Sequence, residues 1–147
     1  MTRINLVPPA ELYDQHLFAE FREIKMVPKS LARSLASARM REVDDPVAWV
    51  LARAPKEFVL GTGHVSFFYD KGAYLGARYY ALRRELDRRG VKYDRNSALD
   101  PGLVMLSDRR LFCDYVPTPE ALGLIRERIA SRVAMKPDWY RLTKVTT

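Results

Sequence analysis

The chain has 147 residues, the usual size of one domain, and carries 25 Lys and Arg against 18 Asp and Glu, a formal net charge of +7. A domain of this length buries about two thirds of its extended-chain surface and holds a core without disulfides. The single Cys113 excludes an internal disulfide and a multi-cysteine zinc site, and only His16 and His64 remain as histidine ligands. We therefore expect no metal site, no cofactor and metal-independent chemistry.

The distribution of apolar and charged residues indicates where the protein acts and on what kind of partner. Apolar residues make up 48% of the sequence, yet no run approaches the roughly 18 residues that span a bilayer. The N-terminus also has no charged segment followed by an apolar one, as a secretory signal has. We expect a cytoplasmic monomer that does not bind membranes. The positive charge favours a polyanionic partner, because clustered Lys and Arg neutralise phosphates and release counterions.

A first helix is predicted from about Pro9 to Ile24, since prolines and the acidic Glu11 suit the first turn of a helix. At about 100° per residue, its side chains divide into an apolar stripe and a polar arc about 120° wide. The polar arc carries Gln15, His16, Arg22 and Glu23.

Two further helices are predicted before residue 55. Pro28 should kink or end the first helix, and a second helix follows from Ser30 to Arg41. Its inner face is predicted to carry Leu31, Ala32 and Leu35, and its outer face Lys29, Arg33, Arg39 and Arg41. An Asp-Asp-Pro start signal then opens a short helix from Val47 to Ala54.

The longest predicted helix runs from about His64 to Arg89, with Thr62 as its cap and Gly90 at its end. Residues 96–118 lack periodicity and are predicted to be irregular. A last helix from Pro119 to about Met135 turns Arg126, Arg128 and Arg132 outward. No β alternation occurs. We predict an all-α fold, a single compact domain over residues 1–147 with about three main helices, short helices and long irregular loops.

The N-terminus offers a candidate nucleophile. Thr2 is small, so cytosolic processing should remove Met1 and expose the threonine α-amine. An α-amine has a pKa of about 8, against about 10.4 for lysine, so roughly a quarter of it is neutral at pH 7.5 without any burial. Most chain termini are poorly ordered and have no catalytic role. The amine is a candidate nucleophile only because acid/base and basic groups lie on the first predicted helix.

The first 23 residues closely resemble the opening of the phage-type endonuclease V family, which comprises pyrimidine-dimer DNA glycosylases with abasic-site lyase activity. The segments that carry the resemblance are Thr2-Arg3-Ile4-Asn5-Leu6, Asp14-Gln15-His16-Leu17 and Arg22-Glu23, and it continues in Gly63-His64-Val65, Phe67-Phe68-Tyr69-Asp70-Lys71, Arg128, Pro137 and Trp139-Tyr140. The chain departs from the family's well-studied member in three places. Met26 stands where that member has an arginine, with Lys25 alongside to supply the charge, and Arg132 stands where it has a lysine, which keeps the charge. After Trp139-Tyr140, the residues Arg141-Leu142-Thr143-Lys144 replace an aromatic, lysine-bearing tail.

The resemblance implies a bifunctional repair enzyme of bacterial or viral origin that acts on double-stranded DNA containing UV photoproducts. The Thr2 α-amine would attack C1′ of the 5′ nucleotide of a cis-syn cyclobutane pyrimidine dimer, form an imine, and lead to strand cleavage by β-elimination. Glu23 would stabilise positive charge at the sugar and assist proton transfer. The implied DNA-binding residues are Arg3, Gln15, His16, Arg22, Lys25, Arg128, Arg132, Trp139 and Tyr140.

Alternatives to this interpretation remain open at the level of sequence. An abasic-site lyase, or a glycosylase for another damaged pyrimidine, would keep the enzyme class and change the substrate. A non-enzymatic basic DNA-binding protein would need only the outward arginines and would not depend on Thr2. His16 has two open roles, support near the reacting sugar and a local hydrogen bond on its helix.

Overall fold

The computed structural model describes residues 3–143, and within that range the regular structure is helical, with one isolated β-bridge between Lys71 and Phe112. The α-helices are α1 (Asp14–Glu23), α2 (Met26–Met40), α3 (Pro46–Ala52), α4 (His64–Phe67), α5 (Gly72–Arg88) and α6 (Pro119–Met135). Short 3-10 turns lie at Pro9–Glu11, Val104–Leu106 and Arg109–Leu111. The all-α prediction is therefore confirmed.

The first helix begins at Asp14, later than the predicted Pro9. Pro9–Glu11 forms a 3-10 turn, and the next two residues are extended, with ψ of 139° at Leu12 and 155° at Tyr13. The extended break turns the Leu12 side chain fully into the core. The prediction was wrong here because a proline-rich helix start and a proline-rich turn share one local signal.

The prediction that Pro28 kinks or ends the first helix was wrong. Helix α1 ends at Glu23, and α2 begins at Met26, so Pro28 is the third residue of α2. The first N–H groups of a helix have no partner within it, so a proline is tolerated in this turn. The basic outer face of α2 is exposed as predicted, but Ala32, predicted to face inward, is exposed as well.

The predicted helix from His64 to Arg89 is broken into α4 and α5. The break covers residues 68–71 and falls within three consecutive aromatic residues, Phe67, Phe68 and Tyr69, which are all at least 93% buried. Three successive side chains span about 200° around a helix, so a surface helix cannot bury all of them on one face. Thr62 is not the cap: α4 starts after Gly63, whose φ is 92°. Gly90, at φ 71°, closes the end of α5 as predicted.

Helix α5 packs against α1, and two arginines are internal there, Arg78 within the helix and Arg89 directly after its end. Arg78 forms an ion pair with Glu20 of α1 at 2.7 Å, and Arg89 pairs with Glu85 and Asp14, both at 2.9 Å. Phe21 and Tyr79 stack across the same contact, with ring centroids 5.0 Å apart. Part of the positive charge of the chain therefore holds the fold together and does not face a partner.

Helix α6 begins as predicted, with the Thr118 hydroxyl accepting the Ala121 N–H at 3.1 Å. After α6 the chain turns back to α1, where the Asp14 N–H donates to the Arg141 carbonyl at 2.6 Å. The end of the described chain is thereby brought beside its beginning. None of the helices described in residues 3–143 has the length and apolar character needed to cross a membrane.

Candidate active site

A pocket of about 250 Å³ opens where the N-terminal segment, α1 and the C-terminal tail meet. Its lining residues are Arg3, Asn5, His16, Ala19, Glu20, Glu23, Arg132 and Tyr140. Five site residues predicted from the sequence therefore surround one cavity, although they come from both ends of the chain. They are Arg3, His16, Glu23, Arg132 and Tyr140.

Helix α1 supplies the wall of the pocket that bears the carboxylate. His16, Ala19 and Glu23 recur at steps of three and four residues, which places them on one face of the helix. His16 and Glu23 stand two turns apart, and the small side chain of Ala19 leaves space between them. The opposite face of α1 buries Leu17 and Phe21 in the core, so core packing fixes the orientation of the polar face.

The charged side chains that line the pocket are Arg3 and Arg132 together with Glu20 and Glu23. Burial lowers the pKa of Arg3 first, and the positive charges of Arg128 and Arg132 lower it further, while Glu23 acts in the opposite direction. Burial likewise lowers the pKa of His16, with further contributions from Arg3 and Arg132, so the imidazole is neutral at pH 7. Of the two carboxylates that line the pocket, Glu20 is bound by Arg78, so Glu23 is the one that stands beside Arg3 and Arg132 without that partner. Arginines in the wall suit an anionic ligand such as a sugar phosphate.

Two polar atoms at this site lack a hydrogen-bond partner. Within residues 3–143, the buried side-chain atoms without a partner are Nδ1 of His16 and Nε of Arg128. Buried polar groups in folded proteins are nearly always paired, and exceptions concentrate where a ligand or water completes the network. Both atoms belong to residues that the sequence marks for the DNA interface.

The C-terminal tail covers the start of α1 through contacts made by Gln15 and His16. The Gln15 side chain donates to the Trp139 carbonyl at 2.5 Å and accepts the Arg141 N–H at 3.0 Å. Tyr140 stacks on His16, with ring centroids 4.7 Å apart and planes inclined by 25°. Trp139 keeps 53% of its surface exposed beside them, so a flat apolar face is left open at the edge of the pocket.

Five predicted site residues within residues 3–143 do not line the pocket, namely Gln15, Arg22, Lys25, Arg128 and Trp139. Arg22 is exposed, with its guanidinium 5.1 Å from the centre of the Phe18 ring, and the Lys25 ammonium donates to the Ser97 hydroxyl at 3.1 Å. Thr2 lies outside the described residues. The residue bonded to it, Arg3, is part of the pocket wall.

Sequence reasoning missed the polar residues that hold the N-terminal segment. Asn5 donates its backbone N–H and its side-chain amide to Glu20 Oε1, at 3.1 and 2.9 Å. Arg78 binds both oxygens of Glu20 at 2.7 and 3.0 Å and donates to the Val7 carbonyl as well. A signal was available, since Glu20 and Arg78 both fall on the apolar stripes of their helices, where a charge needs an opposite charge.

His64 holds the same segment from another side. Its Nε2 accepts the Ile4 N–H at 2.8 Å, and its Nδ1 lies 2.8 Å from the Val59 carbonyl oxygen. Burial is the main cause that lowers the pKa of His64. The contacts therefore fit a neutral ring with its proton on Nδ1, which leaves Nε2 free to accept.

Larger cavities lie elsewhere on the surface, two of them of about 500 and 480 Å³. The first has Phe58, Phe67 and Tyr115 in its walls, and the second is a mostly apolar groove between α2 and the loop at residues 100–107. Neither gathers several arginines around a carboxylate. Charge and chemistry, more than size, distinguish the pocket at α1 as the candidate active site.

The helical fold and a pocket that places Glu23 with Arg3 and Arg132 fit the class of proteins that bind a polyanion. Comparison with known families is consistent with this class, because the family model described as pyrimidine dimer DNA glycosylase matches residues 1–99, about two thirds of the chain. The chain belongs to this family of DNA repair enzymes, which act on DNA containing pyrimidine dimers. Arg3, His16 and Glu23 fall within the matched range, whereas Arg132 and Tyr140 lie beyond it.

Proposed function

We propose that this protein excises the 5′ base of cis-syn cyclobutane pyrimidine dimers through an imine formed by the Thr2 α-amine, and then cleaves the strand by β-elimination. The observation that supports this most is that Arg3, the residue bonded to Thr2, lines the same pocket as Glu23. Consecutive Cα atoms are about 3.8 Å apart, so a processed Thr2 amine is tethered within reach of that pocket. The protein is proposed to act as a monomer.

In the proposed reaction, the neutral amine attacks C1′ and the glycosidic bond breaks. The electron pair of the glycosidic bond goes to the pyrimidine nitrogen, which takes up a proton. The amine that is now bonded to C1′ loses a proton. The C1′–O4′ bond then opens with a proton going to O4′, which leaves a protonated imine. Removal of the acidified C2′ hydrogen expels the 3′ phosphate, and water finally hydrolyses the imine and restores the amine.

Glu23 has two roles in this scheme. Its carboxylate stabilises the positive charge that develops at the sugar when the glycosidic bond breaks, and it moves protons at the imine stage. Both roles use the carboxylate, which shares the pocket with Arg3 and Arg132. Burial is the main cause that lowers the pKa values of Arg3 and His16, and nearby arginines lower them further. The same two effects would favour the neutral, nucleophilic form of an amine brought into the pocket.

The basic surface around the pocket is proposed to bind the DNA backbone. Arg3, Arg22, Lys25, Arg128 and Arg132 would contact phosphates, and such contacts position a protein on DNA without specifying sequence. Gln15 and His16 would support the tail and the sugar, and Tyr140 and the half-exposed Trp139 would offer ring faces to an unstacked base. A dimer bends and unstacks the duplex, which lowers the cost of the further distortion that extrusion of a nucleotide requires.

Borohydride trapping tests the proposed function directly. The Met-processed protein is mixed with a duplex carrying one cis-syn thymine dimer, with an undamaged duplex and with an abasic duplex, and reduced adducts are mapped by peptide analysis. A dimer-dependent adduct at Thr2 is the expected result. An adduct on the abasic duplex alone would assign a lyase of different lesion range, and no adduct on either damaged duplex would contradict the proposed chemistry.

Binding to undamaged duplex is expected to fall steeply with ionic strength, because the arginines of the pocket and of α2 release counterions from phosphates. With about six phosphates neutralised, affinity should drop about 10³-fold between about 50 and 200 mM salt. Fluorescence anisotropy over a salt series measures the slope. A flat response would show that the positive surface does not contact the backbone.

A further inference from the structure

Buried hydrogen-bonding groups hold the N-terminal segment at Ile4 and Asn5, two and three residues after Thr2, which carries the proposed nucleophile. The Ile4 N–H donates to His64 Nε2 at 2.8 Å, and the Asn5 N–H donates to Glu20 Oε1 at 3.1 Å. His64 is 2% exposed and Glu20 is 1% exposed. The backbone N–H groups of the two residues after Arg3 are therefore both held in hydrogen bonds that are shielded from water.

The two acceptors are themselves held in place. Glu20 is bound by Arg78 through both oxygens, and His64 is oriented by the Val59 carbonyl. The Ile4 side chain is fully buried, which adds an apolar anchor at the same residue. A buried network with its members satisfied is rigid, so these acceptors define one position for the backbone at Ile4 and Asn5.

We propose that His64 and Glu20 are positioning residues that hold the Thr2 amine at the pocket, a role that rests on the proposed function above. Between the Ile4 nitrogen and a Thr2 amine, the soft backbone torsions are ψ of Thr2 and φ and ψ of Arg3, since the peptide bonds are planar. Fixing Ile4 restricts the amine to the small volume that three torsions allow. A nucleophile confined beside its target gains effective concentration, which a frayed terminus lacks.

The anchor at His64 depends on an unprotonated nitrogen that accepts a hydrogen bond. Among the charged groups that act on the ring, Arg3 lowers its pKa and Glu20 raises it, and burial has the largest effect, which favours the neutral form. In the neutral ring Nδ1 carries the proton and donates it in the hydrogen bond to the Val59 carbonyl oxygen. Neither His64 nor Glu20 is needed to touch the substrate for this role.

A matched pair of substitutions at His64 tests the proposal. His64→Gln keeps a side-chain oxygen that can accept the Ile4 N–H, whereas His64→Leu fills the buried site with an apolar side chain and offers no acceptor. Leu35→Ala, a core substitution on α2 outside the pocket, controls for lost stability. All variants are assayed well below their melting temperatures for single-turnover trapping on the dimer and abasic duplexes, for affinity to the dimer duplex, and for amide hydrogen exchange at Ile4 and Asn5.

The positioning role predicts rates that do not follow stability. His64→Leu should trap at least about tenfold more slowly than wild type on both damaged duplexes, with affinity within about threefold and faster exchange at Ile4. His64→Gln should recover part of the rate whether or not it melts lower than His64→Leu, and Leu35→Ala should trap at the wild-type rate. If His64→Leu does not fold, His64→Gln is compared with Leu35→Ala and should be about threefold slower.

Three results would overturn the proposal in distinguishable ways. Equal trapping rates in wild type and the His64 variants would remove the positioning role and leave the proposed function intact. Rates that track melting temperature, with Leu35→Ala as slow as His64→Leu, would reduce His64 to a structural residue. A wild-type protein that forms no adduct at Thr2 would contradict the proposed function itself, and the positioning role with it.

Discussion

Inserting one alanine between Met1 and Thr2 is expected to lower base excision and imine trapping at least about 100-fold. Processing would still expose an α-amine, with an unchanged intrinsic pKa, but the new terminus would be displaced by up to about 3.5 Å along the chain. A misplacement of even about 1 Å at a reacting group costs about 100-fold in rate. Single-turnover excision and borohydride trapping measure the loss, while anisotropy should show affinity for the dimer duplex within about threefold of wild type.

Thr2→Ala is the control for this insertion. It removes the hydroxyl and keeps the α-amine at the same place in the chain, and alanine is also small enough for Met1 to be removed. Its rate should stay within about threefold of wild type if the amine is the nucleophile. A large loss in Thr2→Ala together with full activity in the insertion variant would instead assign the chemistry to the threonine side chain.

The local sequence predicted the helical class and the final helix well, and it failed where tertiary contacts decide the break points. The α6 boundaries follow from Thr118, Pro119 and a regular apolar repeat, all of which act within a few residues. The break between α4 and α5 arises because Phe67, Phe68 and Tyr69 are all buried, and burial of successive residues depends on neighbours that local periodicity does not describe. The late start of α1 has the same cause at Leu12.

The candidate site was predictable in its exposed part and not in its supports. His16 and Glu23 share a helix face by spacing alone, and the resemblance added Arg3, Arg132 and Tyr140, which the fold gathers around the same cavity. The link from His64 to Ile4 joins residues 60 positions apart, and no local pattern contains such a pair. Glu20 and Arg78 gave a weaker clue, because a charged residue on an apolar stripe signals a buried partner without naming it.

Glu23→Gln is expected to lower the single-turnover rate of base excision by about 10² to 10⁴-fold, the usual range for loss of an acid/base group. The substitution keeps the shape of the side chain and removes the charge that would stabilise the developing cation at the sugar. Affinity for the dimer duplex should stay the same or rise, because the substitution removes a negative charge from the proposed phosphate-binding surface, which includes Arg3 and Arg132. Rate and affinity would therefore move in opposite directions.

Glu57→Gln is the matched control for Glu23→Gln, since it removes the same charge from an exposed residue outside the pocket. It should leave the rate unchanged, which excludes net charge as the cause of any loss in Glu23→Gln. Full activity in Glu23→Gln would contradict the assignment. The other carboxylate that lines the pocket is Glu20, whose oxygens are bound by Arg78 and Asn5. Full activity in Glu23→Gln would therefore exclude assistance by a carboxylate of the pocket. The DNA phosphates themselves would then have to stabilise the positive charge at the sugar.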